Sequence, residues 1–112
     1  MLTTVVEMPE FLRRAKAIMT DTERTDLINF LAANPEAGVP LGGGIRKLRF
    51  ARDGGGKSGG FRSIHFYAPG RGQPVFLMTV FAKNAKSNLK PDEEAALISI
   101  GERIVASYGR TS

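Results

Sequence analysis

Apolar residues change period several times along this chain, and each change marks an element. Leu2 to Val6 is short, apolar and β-branched, which predicts a first strand. Met8, Phe11, Leu12, Ala15, Ile18 and Met19 then recur at helical spacing, with Pro9 where a first helical turn tolerates it. Arg13, Arg14 and Lys16 fall on the other side of that helix, as a solvated face. Thr20-Asp21-Thr22-Glu23 fits a capping box, in which the Thr oxygen and the Glu carboxylate satisfy free amides at a helix start. The second helix carries Leu27, Ile28, Phe30 and Leu31, and Asn34-Pro35 stops it. Helices joined this tightly predict an antiparallel hairpin.

Asn34 to Gly44 reads as a loop. The stretch from Gly42 to Arg52 reads as a strand in which Leu48 and Phe50 face a core while Lys47 and Arg49 point out together. Phe61–Ala68 and Val75–Ala82 are apolar on both alternating faces, so they belong in the middle of a sheet covered on both sides. In the first, Ile64 and Phe66 oppose Phe61, His65 and Tyr67; in the second, Val75, Leu77 and Phe81 oppose Phe76, Met78 and Val80. Pro69 to Pro74 is the turn between them. Pro91-Asp92-Glu93-Glu94 opens a last helix with its acids at the positive end of the dipole; Ala96, Leu97, Ile100 and Ile104 form its stripe, and Gly109 suits its C-terminal cap. The expected architecture is α+β: a β-α-α-β-β-β-α sandwich on a mostly antiparallel four-stranded sheet, one domain over residues 1–112.

Composition narrows the chemistry. With no cysteine, disulfides, thiolate metal sites and a Cys nucleophile are excluded, and a single histidine, His65, removes any two-His metal motif. No metal or cofactor is expected. No apolar run approaches membrane-spanning length and the N-terminus lacks the order of a secretion signal, so a cytoplasmic protein without membrane contact is expected. Net charge is +5, but residues 41–90 hold ten of the sixteen Lys/Arg and one of the eleven Asp/Glu. Such segregation points to a charged face for a polyanion, nucleic acid above all. A solvated basic surface with no partner is the competing reading.

Gly54-Gly55-Gly56-Lys57-Ser58 has the look of a phosphate-binding P-loop, but Ala51 stands where that motif needs a glycine. The segment also runs into a strand, not a helix, which excludes nucleotide hydrolysis. Its glycines suit a bend near a phosphodiester backbone that carries Lys57 there, or a simple hairpin loop. Arg62 opens a strand expected to be central, where an arginine is out of place unless it serves a site or snorkels to water. Lys83-Asn84-Ala85-Lys86 follows the other central strand, and loops at strand ends are where function concentrates. His65 reads as a hydrogen-bonded core residue, with catalysis the less favoured alternative.

The element order, Lys47-Leu48-Arg49, Lys57-Ser58-Gly59-Gly60-Phe61-Arg62 and Phe81-Ala82-Lys83-Asn84 together resemble the RelE/HigB superfamily of type II toxins. The match is to the HigB-like branch, with its Gly-Lys-Ser-Gly-Gly-aromatic-Arg turn and its Ala-Lys-Asn after the last strand. The resemblance implies a ribosome-dependent endoribonuclease that cuts translated mRNA without a metal and is neutralised by a cognate antitoxin, expected to be of helix-turn-helix type. It implies catalytic roles for Lys47, Lys57, Arg62 and Lys83. Arg62 would stabilise phosphate charge, Lys83 (or Lys86) would assist the leaving 5′-oxygen, and Lys47 or Lys57 would act as base. Arg46, Arg49, Arg52, Ser58, Asn84 and Lys86 are the expected RNA contacts. Crowded cations disfavour one another's protonation, which suits a lysine base.

Two departures from the superfamily pattern stand out. Arg49 occupies a place where a lysine can act as base, and arginine does not deprotonate usefully. The tyrosine often found after the last strand is missing, since Asn88, Leu89 and Lys90 stand there. The rival readings are a non-catalytic basic nucleic-acid-binding module and a degenerate toxin that keeps only antitoxin binding.

Overall fold

The computed structural model describes residues 2–51, 60–70, 72–83 and 89–108. The elements are β1 (Val5–Glu7), α1 (Pro9–Ile18), α2 (Asp21–Ala33), β2 (Val39–Gly42), β3 (Ile45–Phe50), β4 (Phe61–Phe66), β5 (Val75–Ala82) and α3 (Pro91–Tyr108). They build a five-stranded mixed sheet in the order β1-β5-β4-β3-β2. β1 runs parallel to β5, and the other neighbours are antiparallel.

The α+β class and the three helices are as expected, but the four-stranded count is corrected. The extra strand, β2, lies within the segment read as a loop. Val39-Pro40-Leu41-Gly42 carries a proline and ends in glycines, a breaker signature. Proline is nonetheless tolerated on an edge strand, where one side of the ladder faces solvent, and β2 is the sheet's last strand. Gly43 and Gly44 join β2 to β3 with φ of 60° and 86°. Positive φ at both central residues is what a two-residue hairpin needs to match strand twist.

The two central strands follow from their composition. All of β4 and all of β5 except Ala82 are buried, as expected for strands covered on both faces. One face meets the helical pair: Phe11, Ala15, Leu27 and Leu31 pack with Leu48, Phe61, Leu77 and Val80. The other meets α3, where Leu97, Ile98, Ile100 and Ile104 cover Ile45, Ile64, Phe66, Phe76, Met78 and Phe81. The α2 capping box forms as its sequence predicts, with Glu23 N donating to Thr20 Oγ1 at 3.0 Å and Thr20 N to Glu23 Oε1 at 2.9 Å. A two-pronged Arg24–Glu7 pair, at 2.6 and 3.0 Å, fastens the start of α2 to β1.

Strict alternation fails in β5. Ile64 pairs with Thr79 but His65 pairs with Leu77, so Met78 is an extra residue. Beyond it the side chains change phase. Val80 joins Leu77 on the helical-pair face, and Phe81 joins Phe76 and Met78 under α3. The grouping of Phe81 with Leu77 is therefore corrected, and the bulge is the reason.

Candidate functional site

The basic strand and the first central strand pair without interruption, from Phe50↔Phe61 to Ile45↔Phe66. Closing the hairpin on two phenylalanines puts Arg49 directly opposite Arg62 and Lys47 opposite Ile64. Arg62 in turn pairs with Phe81 of β5. Ile45, Ile64 and Phe81 lie on the α3 face, so alternation places Lys47, Arg49 and Arg62 there as well. Lys83 carries the row one step past β5, its backbone N–H donating to the carbonyl of Gly60 at 3.2 Å.

Arg62 is the centre of this row. It is 7% exposed, and no carboxylate among the described residues lies within ion-pair reach of it. Among the described residues its guanidinium makes one long contact, at 3.4 Å to the carbonyl of Phe61. Burial first, and the nearby Arg49 charge second, push its pKa below the ordinary arginine value; an arginine keeps its charge even so. Like charges directly opposite across a sheet are unfavourable, and a buried cation without a carboxylate is worse. Both costs fall if an oxyanion sits between the two guanidiniums, because a guanidinium fork matches phosphate oxygens in pairs. The arrangement is suited to holding a phosphate and to favouring extra negative charge on it.

The described residues bring Lys47, Arg49 and Arg62 to one face, with Arg49 and Arg62 near the Phe50–Phe61 end, where the backbone of Lys83 follows β5. Arg46 stands apart, on the opposite face with Leu48. Its guanidinium donates to the carbonyls of Glu36 at 2.8 Å and Gly38 at 3.3 Å, so it anchors the approach to β2. Arg52, Lys57, Ser58, Asn84 and Lys86 lie outside the described residues. The direct opposition of Arg49 and Arg62 was missed from sequence, yet a signal existed: counting inward from Phe50 and Phe61 as a closing pair yields it. Among the described residues, no group of three or more His, Asp or Glu could hold a metal ion.

His65 is a core residue, as expected. It is fully buried beside Arg46's strand position, and its Nε2 lies 3.0 Å from the carbonyl of Pro35. Since a carbonyl only accepts, Nε2 carries the proton and Nδ1, buried without a partner among the described residues, is the bare nitrogen. Burial lowers its pKa to about 4; the Pro35 bond opposes that shift and the Arg46 charge adds to it. The unfolded chain takes up this proton near pH 6.5 and the folded chain does not, so stability falls as pH drops from about 6.5 towards 4. Wild type should lose roughly 3 kcal/mol over that window beyond what a His65→Gln variant loses. Urea midpoints of the two proteins across the window measure the difference. Parallel curves would mean that the imidazole titrates freely in the folded state.

The family model described as the RelE toxin of the RelE / RelB toxin-antitoxin system matches residues 5–110. That span includes the whole sheet, all three helices and the cation row. No helix among the described residues is long and apolar enough to cross a membrane.

Proposed function

Because the chain belongs to the RelE toxin family, one half of a toxin–antitoxin pair, we propose that it is a metal-independent, ribosome-dependent endoribonuclease that cuts translated mRNA. Within that family we place it in the HigB-like branch, on the Gly56-to-Arg62 and Ala82-to-Asn84 motifs. The observation that carries the reading is the buried Arg62 facing Arg49, with no carboxylate among the described residues to pair it. In this reading the two guanidiniums hold the scissile phosphate and stabilise the charge of the pentacoordinate intermediate. Lys47, or Lys57 from the glycine loop, takes the ribose 2′-proton; Lys83, or Lys86, gives a proton to the departing 5′-oxygen. Arg52, Ser58 and Asn84 contact the RNA nearby. A helix-turn-helix antitoxin would hold the activity in check in the cytoplasm.

Induced expression tests it. Growth should stop, and a reporter message should be cut only while it is translated, so that deleting its start codon protects it. Cutting of naked RNA to the same extent would remove the ribosome from the scheme. Tight RNA binding with no cutting would favour the non-catalytic module, for which Arg49, standing where the superfamily can use a lysine base, already argues. Growth arrest without either would leave the toxin reading and remove the nuclease.

A further inference from the structure

In the first half of α1 a single carboxylate is held by two arginines. Arg13 Nη2 donates to Glu10 Oε1 and Arg14 Nε to Glu10 Oε2, each at 2.7 Å. Each arginine takes a separate oxygen, as guanidiniums do when they grip two oxygens of a phosphate. Both bonds stay within α1 and reach an exposed carboxylate, where an ion pair adds little to stability. The Arg24–Glu7 pair is different in kind, since it joins α2 to β1. The Arg14 bond first, and the Arg13 bond second, hold the Glu10 carboxyl below the usual carboxylate range. At neutral pH it is therefore a full anion.

Position adds to the chemistry. β1 ends at Glu7, beside Leu77, and past that point α1 flanks β5. Arg13 and Arg14 line a hollow of roughly 170 Å³ there, with Ala17 of α1 and with Phe81 and Ala82 at the end of β5. Phe81 is the cross-strand partner of Arg62, which stands opposite Arg49. The α1 arginines thus continue the cation row beyond Phe81. Lys16 borders a different hollow, with Leu12 and Met19.

We propose that Glu10 is an internal stand-in for an RNA phosphate: the Arg13–Arg14 fork is a second phosphodiester site, flanking the Arg49–Arg62 pair, and RNA enters it by displacing the carboxylate. It rests on RNA being the ligand in the proposed function, and not on cleavage. A phosphodiester offers two unbridged oxygens, as the carboxylate does, and recurs at every nucleotide. A strand already held at Arg49 and Arg62 brings a further phosphate to the fork without a second association. Glu10 then returns to water, where its charge is well solvated.

The probe is a single-stranded RNA oligonucleotide with 2′-O-methyl riboses, which cannot be cut through the 2′-oxygen. It is titrated into the full chain by fluorescence anisotropy over a series of salt concentrations. Glu10→Gln should tighten binding by about 10-fold, the size of one charge-assisted hydrogen bond. It should also steepen the slope of log affinity against log salt by about 0.7, for one more phosphate neutralised on a single strand. With Arg13 and Arg14 both changed to glutamine, Glu10→Gln should gain less than about 3-fold, because the partners of the gain are gone. Two exposed sites supply charge-matched controls, Asp26→Asn on α2 and Lys16→Gln on α1, and each should shift affinity by less than about 3-fold. These are surface changes, so thermal midpoints close to wild type are expected throughout. Equal gains from Glu10→Gln and Asp26→Asn, or a gain that persists without the two arginines, would reduce Glu10 to its net charge and overturn the proposal. Polyglutamate gaining as much from Glu10→Gln as the RNA does would assign the fork to acidic proteins and overturn it too. So would failure of every variant to bind the probe, while cutting of translated mRNA in the same preparation would keep the nuclease reading. The expected pattern in a chain that never cuts mRNA would sink the nuclease reading and leave this one standing.

Discussion

Arg62→Ala should lower the rate of translated-message cleavage by about 10²–10³-fold, the usual loss when one donor to a developing oxyanion is removed. Ribosome association should change by only a few-fold, because in the proposed function this guanidinium serves one phosphate while Arg49 and Lys47 remain on the same face. A binding module would behave differently: affinity and effect would fall in proportion. Stability separates the alternatives further. Arg62 is buried with no carboxylate among the described residues and stands opposite another arginine. Replacing it by methionine, which keeps most of the apolar stem, should therefore raise the stability of the fold by roughly 1 kcal/mol. Cleavage assays on purified ribosome complexes, with urea unfolding of the same three proteins, give both readouts. If Arg62→Met were both active and less stable, the side chain would be a structural strut and the phosphate site would have no centre.

Gly44→Ala should destabilise the protein by about 3–5 kcal/mol, a large share of what a domain this size possesses. Two independent effects meet at this position. Its φ of 86° is strained for any residue with a Cβ, and a Cβ built there would lie 2.5 Å from the ring of Phe66. Two other glycines separate the effects. Gly70 has φ of 79°, and no described residue beyond its chain neighbours lies within 4 Å of a built Cβ, so Gly70→Ala should cost about 1–2 kcal/mol, from the backbone. Gly101 sits within α3, and a Cβ built there would lie 2.7 Å from the same Phe66 ring. Gly101→Ala gains about 1 kcal/mol of helix propensity against a crowding cost of about 1–3. It should end mildly destabilising. Urea midpoints for the three variants decide the matter. Equal losses at Gly44 and Gly70 would mean that the Phe66 ring moves aside at little cost and that the seat of α3 is loosely packed.

Much of the scaffold was legible in the sequence because its signals are local. Helix α2 begins where Thr20 and Glu23 cap each other and ends at Asn34 because Pro35 follows. β4 and β5 read as central because apolar residues stand on both of their alternating faces. What escaped detection depends on pairing. β2 is made a strand by β3 alongside it, against the preferences of Pro40 and Gly42, and no local pattern announces a partner. The bulge at Met78 is equally silent, since Leu77, Met78, Thr79 and Val80 are all compatible with an unbroken strand. At the candidate site, alternation already separated Lys47 and Arg49 from Arg46. The opposition of Arg49 to Arg62 needed the hairpin register, and the burial of Arg62 needed the whole sheet. The roles suggested for Lys57 and Lys86 rest on motif position alone.

The additional residue at Met78 bears on how kindred chains should be lined up with this one. Upstream of it, odd-numbered positions of β5 look toward the helical pair; downstream, they look the other way. A relative lacking that insertion would present its terminal lysine on the reverse side of the sheet unless it compensated elsewhere. Matching the Ala-Lys-Asn triplet by eye is thus insufficient: the tally of residues back to the strand's start fixes whether that lysine and Arg62 share a side.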